Sequence, residues 1–327
     1  MRVIHNLAEL TNPLAKSAVT IGNFDGVHLA HQELLRQVVR AAKSTGATPT
    51  AITFDPHPTK ILAPERAPHF LTSLTQKTRL IESSGIKLLV VLPFTRELSL
   101  LSPADFVRDV LQGPLRPGQI FVGPNFRFGH NHSGDDQTLA ELGSAAGFSV
   151  EVLPMLTVRG ERVSSSRIRE LLSAGGVTRA GRLLGRPYSS AGAIVSGSGV
   201  GKMQTVPTAN LAPIEEQLPL GGVYVTRTRL GGILHESVTN VGTKPTFGEH
   251  RLTVECFLLN FTGVITEAEM EVEYIYRLRD EMKFPDVAAL KAQIQKDAGR
   301  SIRLFRLLNR LQKPTTGPFA SNLSTRV

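Results

Sequence analysis

The chain has 327 residues, of which 41% are hydrophobic and 20% charged; this composition is typical of a folded globular protein, and the length predicts two domains. No apolar run approaches the roughly 20 residues of a membrane-spanning helix, and the N-terminus has no apolar signal core, so we expect a cytoplasmic protein with no membrane partner. The single cysteine, Cys256, excludes a disulfide framework and a cysteine-rich zinc site. The net charge of +9 suits polyanions, either phosphorylated small molecules or nucleic acid.

The first half of the chain alternates strand and helix patterns. Apolar runs predict strands at residues 18–21, 50–54, 87–92 and 120–123. Helical spacing predicts helices at residues 28–45, 75–84 and 135–146, and Ser102-Pro103 begins another, with Ser as N-cap. Strict alternation predicts a Rossmann-like α/β domain, in which a parallel sheet is covered by helices on both faces.

The pattern changes near residue 175, and Gly185-Arg186-Pro187 predicts a hinge. Short strand candidates follow without a long helix between them, at residues 190–196, 222–229, 233–241, 252–259 and 270–278. They predict an antiparallel β-barrel with one closing helix over residues 286–311. We therefore expect an α/β domain over residues 1–184, a barrel domain over residues 185–312, and a tail without regular structure over residues 313–327.

Two histidines follow the first predicted strand. Residues 22–31 read Gly-Asn-Phe-Asp-Gly-Val-His-Leu-Ala-His, so glycines predict a tight turn and His28 and His31 share one face of the first helical turn. The free N–H groups and the positive end of the helix dipole lie at the same place. The pattern predicts a cradle for phosphate oxygens, in which the imidazoles donate hydrogen bonds to charge developing on a phosphoryl group. Two surface histidines without a role are the alternative.

This segment resembles the signature of nucleotidylyltransferases, whose histidine pair usually reads His-x-Gly-His; Ala30 stands in place of that glycine. Further motifs sharpen the resemblance to the bacterial bifunctional riboflavin kinase and FMN adenylyltransferase family, also called FAD synthetase. They are Thr53-Phe54-Asp55-Pro56-His57-Pro58, Val122-Gly123-Pro124-Asn125-Phe126-Arg127-Phe128-Gly129 and Val163-Ser164-Ser165-Ser166-Arg167-Ile168-Arg169. The first two follow strands, where ligands of open α/β sheets bind. The third offers hydroxyls, N–H groups and arginines at the start of a helix.

The second half carries a glycine-rich segment and a tetrapeptide. The segment over residues 196–203 fits neither a Walker A loop nor a dinucleotide fingerprint, and by itself it is more often a hairpin turn. Pro207-Thr208-Ala209-Asn210, however, is the hallmark of riboflavin kinases. Residues 222–224, 240–247, 254–261 and 277–284 match the same family in order. The chain departs from the family at Lys202, Thr205-Val206 and Phe257, where Arg, Gly with an aromatic residue, and His are common.

The resemblance covers residues from about 15 to about 310. It implies that the barrel transfers the γ-phosphate of ATP to riboflavin, giving FMN, and that the N-terminal domain transfers AMP from a second ATP to FMN, giving FAD and pyrophosphate. The departures leave open an FMN adenylyltransferase whose kinase half is impaired. An RNA-binding protein on the same scaffold is a further alternative, but aromatic residues are few and no RNA-binding motif is recognised, so we expect no nucleic-acid partner. The sequence carries no signal of oligomeric state.

The resemblance also implies site residues. Adenylyl transfer is assigned to His28 and His31, and ATP and its phosphates to Gly22, Asn23, Phe24, Asn125, Ser164, Ser165 and Arg167. In the kinase, Glu255 is the general base, and the ATP phosphates contact Gly197, Gly199, Gly201 and Lys202. Thr208 and Asn210 would hold Mg²⁺ through hard oxygen ligands. The expected flavin contacts are Asp55, Phe106, Phe128 and Arg279. For the two phenylalanines core packing is the alternative, and for Phe106 it is the favoured one.

Overall fold

The computed structural model describes residues 1–195, 208–246 and 249–312. The chain divides into two compact units, Met1–Tyr188 with Glu215–Pro219, and Ser189–Ile214 with Leu220–Val327. Gln217 belongs to the first unit through its backbone N–H, which donates to the Phe70 carbonyl at 2.7 Å. Within the described residues, no helix combines the length and the apolar character needed to cross a bilayer.

The first unit is built on a six-stranded sheet, and its pairs are all parallel, as predicted. The strands of this unit are β1 (Arg2–Ile4), β2 (Ser17–Ile21), β3 (Thr48–Asp55), β4 (Leu88–Pro93), β5 (Pro117–Val122), β6 (Arg127–Phe128), β7 (Gly134–Asp135), β8 (Ser149–Val152), β9 (Thr157–Val158) and β10 (Glu161–Arg162). The strand order of the six-stranded sheet is β1-β4-β3-β2-β5-β8, and all five residues of β2 are buried, as expected of a strand covered on both faces.

Helices connect these strands. The helices are α1 (Leu29–Thr45), α2 (Pro58–Leu62), α3 (Leu74–Ser83), α4 (Arg96–Ser99), α5 (Pro103–Phe106), α6 (Gly113–Leu115), α7 (Asp136–Ala146), α8 (Ser165–Ser173) and α9 (Val177–Leu184). The helix predicted to begin at Ser102-Pro103 widens into a π-helical stretch over Val107–Gln112, between α5 and α6. Helix α1 buries one apolar side, including Leu34, Leu35 and Val38, and ends at Gly46, whose φ of 65° is a conformation that glycine adopts without strain.

The second unit is a closed barrel with one long helix. Its elements are β11 (Tyr188–Val195), β12 (Thr208–Leu211), β13 (Gly222–Leu230), β14 (Ile233–Thr246), β15 (Glu249–Leu258), β16 (Glu269–Arg279) and α10 (Val287–Gln312). The strand order around the barrel is β11-β12-β15-β14-β13-β16. Phe305 of α10 is buried against barrel residues such as Val225 and Leu259, so the predicted barrel and its closing helix are confirmed. Buried hydroxyl groups also hydrogen-bond to each other, as between Thr226 and Thr239 at 2.6 Å.

The sheet order brings the sequence motifs of the first unit to one edge. Strands β3, β2 and β5 are neighbours and run parallel, so their carboxyl ends lie side by side. Residues 22–28, which we call the histidine turn, follow β2; Asp55 is the last residue of β3, and Asn125 follows β5. This edge is where α/β sheets bind their ligands.

Candidate functional site

The turn between β2 and α1 holds two histidines in stacked contact. Gly26 has a φ of 79°, and a Cβ at that position would lie 2.8 Å from Cδ1 of Leu71, so both the conformation and the space favour glycine. His28 is the N-cap of α1, and its Nδ1 accepts a hydrogen bond from the His31 backbone N–H at 3.4 Å. The two imidazole rings stack with centroids 3.6 Å apart and an angle of 15° between their planes.

Both histidines are neutral near pH 7. Burial lowers the pKa of His28 to about 4, and burial also lowers the pKa of His31 well below its usual value. Because Nδ1 of His28 is an acceptor, its proton lies on Nε2. Nδ1 of His31 is buried and has no hydrogen-bond partner in the described part of the chain. The pair can therefore donate N–H hydrogen bonds to phosphate oxygens, as neutral dipoles instead of cations.

The structure also shows the surroundings of Phe24 and Ala30, two residues of the nucleotidylyltransferase signature. Phe24 is fully buried, and its ring meets the His31 ring edge-on at 5.2 Å, so its side chain supports the histidine instead of reaching a nucleotide. Gly22 and Asn23, which were predicted with it, are only partly buried. Ala30 is the second residue of α1 and is absent from the positions with positive φ. The backbone there does not require glycine.

A buried carboxylate joins the histidine turn to two distant segments. Asp25 is 3% exposed, and its Oδ1 accepts from the Leu71 backbone N–H at 2.8 Å. Its Oδ2 accepts from Nη2 of Arg169 at 2.5 Å. The Asp25 carbonyl accepts from Oγ of Ser165 at 3.0 Å. Burial raises the pKa of Asp25, and the Arg169 charge opposes that rise. Asp25 was assigned no role from sequence, and Arg169 was considered only as one of the arginines that could contact a phosphate at the start of α8.

Of the residues after β5 and at the start of α8 that were predicted to bind ATP phosphates, Ser165 contacts this turn, and the others have partners elsewhere. Ser164 caps α8 by accepting from the Arg167 backbone N–H at 3.2 Å. The Arg167 guanidinium pairs with Glu170 at 2.8 Å and with Glu161 at 3.5 Å. Asn125 is exposed, and with its amide oxygen facing Arg162 it accepts from Nη2 at 2.7 Å. The structure thus places Ser165 on the histidine turn, and places Arg169 there instead of Arg167.

A cavity lies beside the histidine turn, at the carboxyl end of β3. Its wall has apolar rings, carboxylates and ammonium groups; the lining residues are Asp25, Phe54, Asp55, Pro56, His57, Lys60, Phe70, Thr72, Ser73, Leu74, Lys77, Glu215 and Glu216. Of the predicted flavin contacts, Asp55 lies here. Burial lowers the pKa of His57 to about 4, and its ring packs 4.9 Å from Phe70.

The two phenylalanines predicted to cover the flavin lie elsewhere. Phe106 and Phe128 are 5% and 7% exposed and pack 5.7 Å apart in the hydrophobic core. Their rings are covered by apolar neighbours, which agrees with the core-packing alternative, and the flavin contact of both residues stays a prediction. Phe54 and Phe70 are the rings that line the cavity. Sequence reasoning missed them because an isolated aromatic residue carries no sign of the direction in which it points.

In the barrel, three polar residues form a row across adjacent strands. The strand register pairs Asn210 of β12 with Glu255 of β15, and Glu255 with Asn240 of β14. Directly paired residues share a face of a sheet, so these side chains are neighbours. The adjacent row, Cys256 with Ala209, is fully buried on the opposite face. Thr208, two residues before Asn210, shares the face of Glu255.

Other barrel predictions have different outcomes. Arg279 pairs with the buried carboxylate of Asp297, with Nη2–Oδ2 at 2.8 Å, and this ion pair joins β16 to α10; its flavin contact stays a prediction. Burial raises the pKa of the Cys256 thiol to about 11, which agrees with a packed and unreactive residue. The glycine-rich segment that was predicted to contact the ATP phosphates, with Gly197, Gly199, Gly201 and Lys202, lies outside the described residues.

Comparison with known proteins covers both halves of the chain. Residues 11–167 match the family model described as FAD synthetase, and residues 184–305 match the model described as riboflavin kinase. A bifunctional riboflavin kinase/FMN adenylyltransferase from Pseudomonas fluorescens is 33% identical over 91% of this chain and 96% of its own length. The Bacillus subtilis protein of the same description is 34% identical over 89% of this chain and 93% of its own. A crystal structure of a macrolide-efflux protein from Streptococcus pneumoniae superposes with a TM-score of 0.83, at 26% identity over 92% of this chain and 98% of that one.

Proposed function

The chain belongs to the family of bifunctional riboflavin kinase/FMN adenylyltransferases, and on that premise we propose that residues 1–184 transfer AMP to FMN and residues 185–312 phosphorylate riboflavin. Both domains of the family are present, and ATP is the co-substrate of each reaction. Because both steps consume ATP, we place the enzyme in the cytoplasm. Its substrates and products are then riboflavin, FMN, FAD and ATP.

The stacked pair of His28 and His31 is the observation that carries the adenylyltransferase proposal. The FMN phosphate is already an anionic nucleophile, so the step needs in-line positioning and stabilisation of charge at the α-phosphate of ATP. An FMN phosphate oxygen forms a bond to the α-phosphorus while the bond to the β-phosphate oxygen breaks, and pyrophosphate leaves. The neutral imidazoles donate N–H groups to the α-phosphate oxygens, in a turn whose geometry is fixed before substrate arrives.

The remaining nucleotide contacts are proposed from the family resemblance, and for Ser165 also from its hydrogen bond to the turn. Ser164, Ser165 and Asn125 supply hydrogen-bonding groups, and Gly22-Asn23-Phe24 supply backbone. Arg167 would have to exchange its two carboxylate partners for a phosphate, a small change because surface ion pairs contribute about 0–1 kcal/mol. Asp55 remains a proposed flavin contact, now together with the Phe54 and Phe70 rings of the same cavity.

For the kinase, we propose Glu255 as the general base that takes the proton of the riboflavin 5′-hydroxyl. Thr208 and Asn210 fit a Mg²⁺ site because each offers an oxygen ligand on the face that carries Glu255, and Mg²⁺ takes few protein ligands when phosphates and water complete its shell. Bound there, Mg²⁺ would neutralise charge on the ATP phosphates. The loop with Gly197, Gly199, Gly201 and Lys202 stays a proposal from sequence.

A chromatographic time course with riboflavin, ATP and Mg²⁺ tests both assignments. FMN should appear first and then convert to FAD. The His28→Ala variant should accumulate FMN without FAD, and Glu255→Gln should leave riboflavin unchanged while still converting added FMN. If the wild-type chain converts added FMN but not riboflavin, the chain is an adenylyltransferase with an impaired kinase. If His28→Ala forms FAD at the wild-type rate, the assignment of the histidine site is wrong.

A further inference from the structure

Lys77 is a buried cation to which the mechanism above gives no role. It lies one turn into α3, it is 7% exposed, and it lines the cavity at the carboxyl end of β3. Withdrawing an ammonium group from water costs several kcal/mol unless charged or polar partners replace the solvent. Burial lowers the pKa of Lys77, and the charges of Asp25 and Asp55 oppose that shift.

The cavity contains a second lysine, and the two differ in their partners. Lys60 is exposed; its Nζ lies 2.8 Å from a Glu215 oxygen and 5.1 Å from the centre of the Phe70 ring. Lys77 makes no ion pair with any carboxylate of the described residues. The buried carboxylate of the cavity, Asp25, already accepts hydrogen bonds from Arg169 and from two backbone N–H groups. Lys77 is therefore the cavity's cation that remains available to a ligand.

The other carboxylates of the cavity leave room for an anion. Glu215 is neutralised by its ion pair to Lys60, and Asp55 is exposed, where water screens its charge. Glu216 is partly exposed. Asp25 is paired, as described above. The uncompensated negative charge thus lies toward solvent, while the buried end of the cavity carries Lys77.

The same end of the cavity carries further groups that favour an anion. Thr72 and Ser73 line it, and they immediately precede α3, whose N-terminus carries the positive end of the helix dipole. Lys77 is also within electrostatic reach of the catalytic pair, since its charge contributes to lowering the pKa of His31. Asp25 of the histidine turn lines the same cavity as Lys77, so an anion at Lys77 lies near the turn where the α-phosphate is expected.

We propose that Lys77 binds the phosphate monoester of FMN and holds it beside His31 for attack on ATP. The inference rests on the proposed adenylyltransferase function and adds the residue that distinguishes phosphorylated from unphosphorylated flavin. Lys77 takes no part in bond making or breaking; the FMN phosphate oxygen forms the new bond to the α-phosphorus, and pyrophosphate leaves with the electron pair of the broken bond. The Phe54 and Phe70 rings line the same cavity and offer apolar surface to the flavin.

The test compares four full-length proteins: wild type, Lys77→Met, Lys77→Arg and, as the control, Lys43→Met, which changes an exposed lysine of α1 outside the cavity. Initial rates of FAD formation are measured with FMN varied at saturating ATP, and with ATP varied at saturating FMN. Lys77→Met should raise the KM for FMN at least tenfold and leave the KM for ATP within twofold, because a charge-assisted hydrogen bond to phosphate is lost. Lys77→Arg should recover most of the loss, and the control Lys43→Met should change the KM for FMN less than twofold.

Inorganic phosphate is the second probe. It should inhibit the wild-type enzyme competitively with FMN, and this inhibition should weaken at least tenfold in Lys77→Met. Lys77→Met removes a buried charge without breaking an ion pair, so its melting temperature should not fall, and a loss of FMN affinity in a folded variant is then not an effect of unfolding. If Lys77→Met does unfold, the KM for FMN and the inhibition by phosphate are measured in Lys77→Gln, which removes the charge and keeps a polar side chain.

An unchanged KM for FMN overturns the inference, and so does a larger rise in the KM for ATP than for FMN. Those results require a wild-type chain that forms FAD. If wild type forms no FAD, the proposed function itself is wrong, and the inference falls with it.

Discussion

Removing one partner of the ion pair between Asp25 and Arg169 should strongly destabilise the first unit. The side chains of Asp25 and Arg169 are 4% and 17% exposed, and Arg169→Met leaves the carboxylate buried without its cation. Breaking a buried pair on one side costs about 3–5 kcal/mol. Two backbone N–H groups remain on Oδ1 of Asp25, and Arg169 retains some contact with water, so we expect the lower end, about 3 kcal/mol.

The loss should also depend on pH in a defined direction. Burial already raises the pKa of Asp25, and removing the Arg169 charge raises it further. A carboxyl group whose folded pKa lies above its unfolded pKa loses stabilisation as the pH rises through the folded value. The deficit of Arg169→Met should therefore be larger at pH 8 than at pH 5, where Asp25 can take up a proton.

Urea denaturation followed by circular dichroism at the two pH values measures both effects. Arg167→Met is the matched control, because Arg167 lies on the same helix and its ion pairs are at the surface, with 36% of its side chain exposed. That variant should lose less than about 1 kcal/mol. Equal losses in the two variants, or a deficit of Arg169→Met that does not change with pH, would refute the reasoning.

Three further predictions concern His28, Gly26 and Asp297. Because the pKa of His28 falls to about 4, its ring should remain neutral at pH 5.5 in ¹⁵N NMR spectra, and its contribution to stability should be lost as the pH falls from 6.5 toward 4; a titration midpoint above 6 contradicts this. Gly26→Ala should lower the unfolding free energy by about 1–3 kcal/mol in urea, because φ is positive and the new Cβ would meet Leu71, and a neutral result would show that the turn can relax. Asp297→Asn leaves Arg279 partly buried without its carboxylate and should lower the thermal stability of the barrel by about 3 kcal/mol, which calorimetry can measure; an unchanged barrel transition would contradict it.

The fold was predictable where one local pattern sufficed. Continuous apolar runs identified β2, β3, β4 and β5, because strands of a parallel sheet are buried on both faces. The edge strands β1 and β8 were not predicted. Only one of the three residues of β1 is buried and none of β8 is, so neither strand has a distinctive hydrophobic pattern. The short β12 escaped as well, because four residues carry too little periodicity.

The candidate site was predictable only in its local part. His28 and His31 are three residues apart, and helical geometry alone places them together. Lys77 looks in the sequence like an ordinary surface charge, since nothing local distinguishes a buried lysine from a solvated one, and the phosphate motif that contains Arg169 gives no sign of its pairing with Asp25. The row of Asn210, Glu255 and Asn240 depends on the register of three strands, which is set by tertiary pairing.

Asp25 shows why the missing part depends on the whole fold. Its partners Leu71 and Arg169 are 46 and 144 residues away in the chain. They meet because β2 and β3 end at one edge of the sheet, where the turn after β2, the segment before α3 and the start of α8 converge. Asp25 holds the histidine turn in two ways, because its side chain accepts from the Leu71 N–H and its backbone carbonyl accepts from the Ser165 hydroxyl. The turn is thereby fixed before a nucleotide binds, and this preorganisation is what two neutral imidazoles need in order to stabilise a transition state.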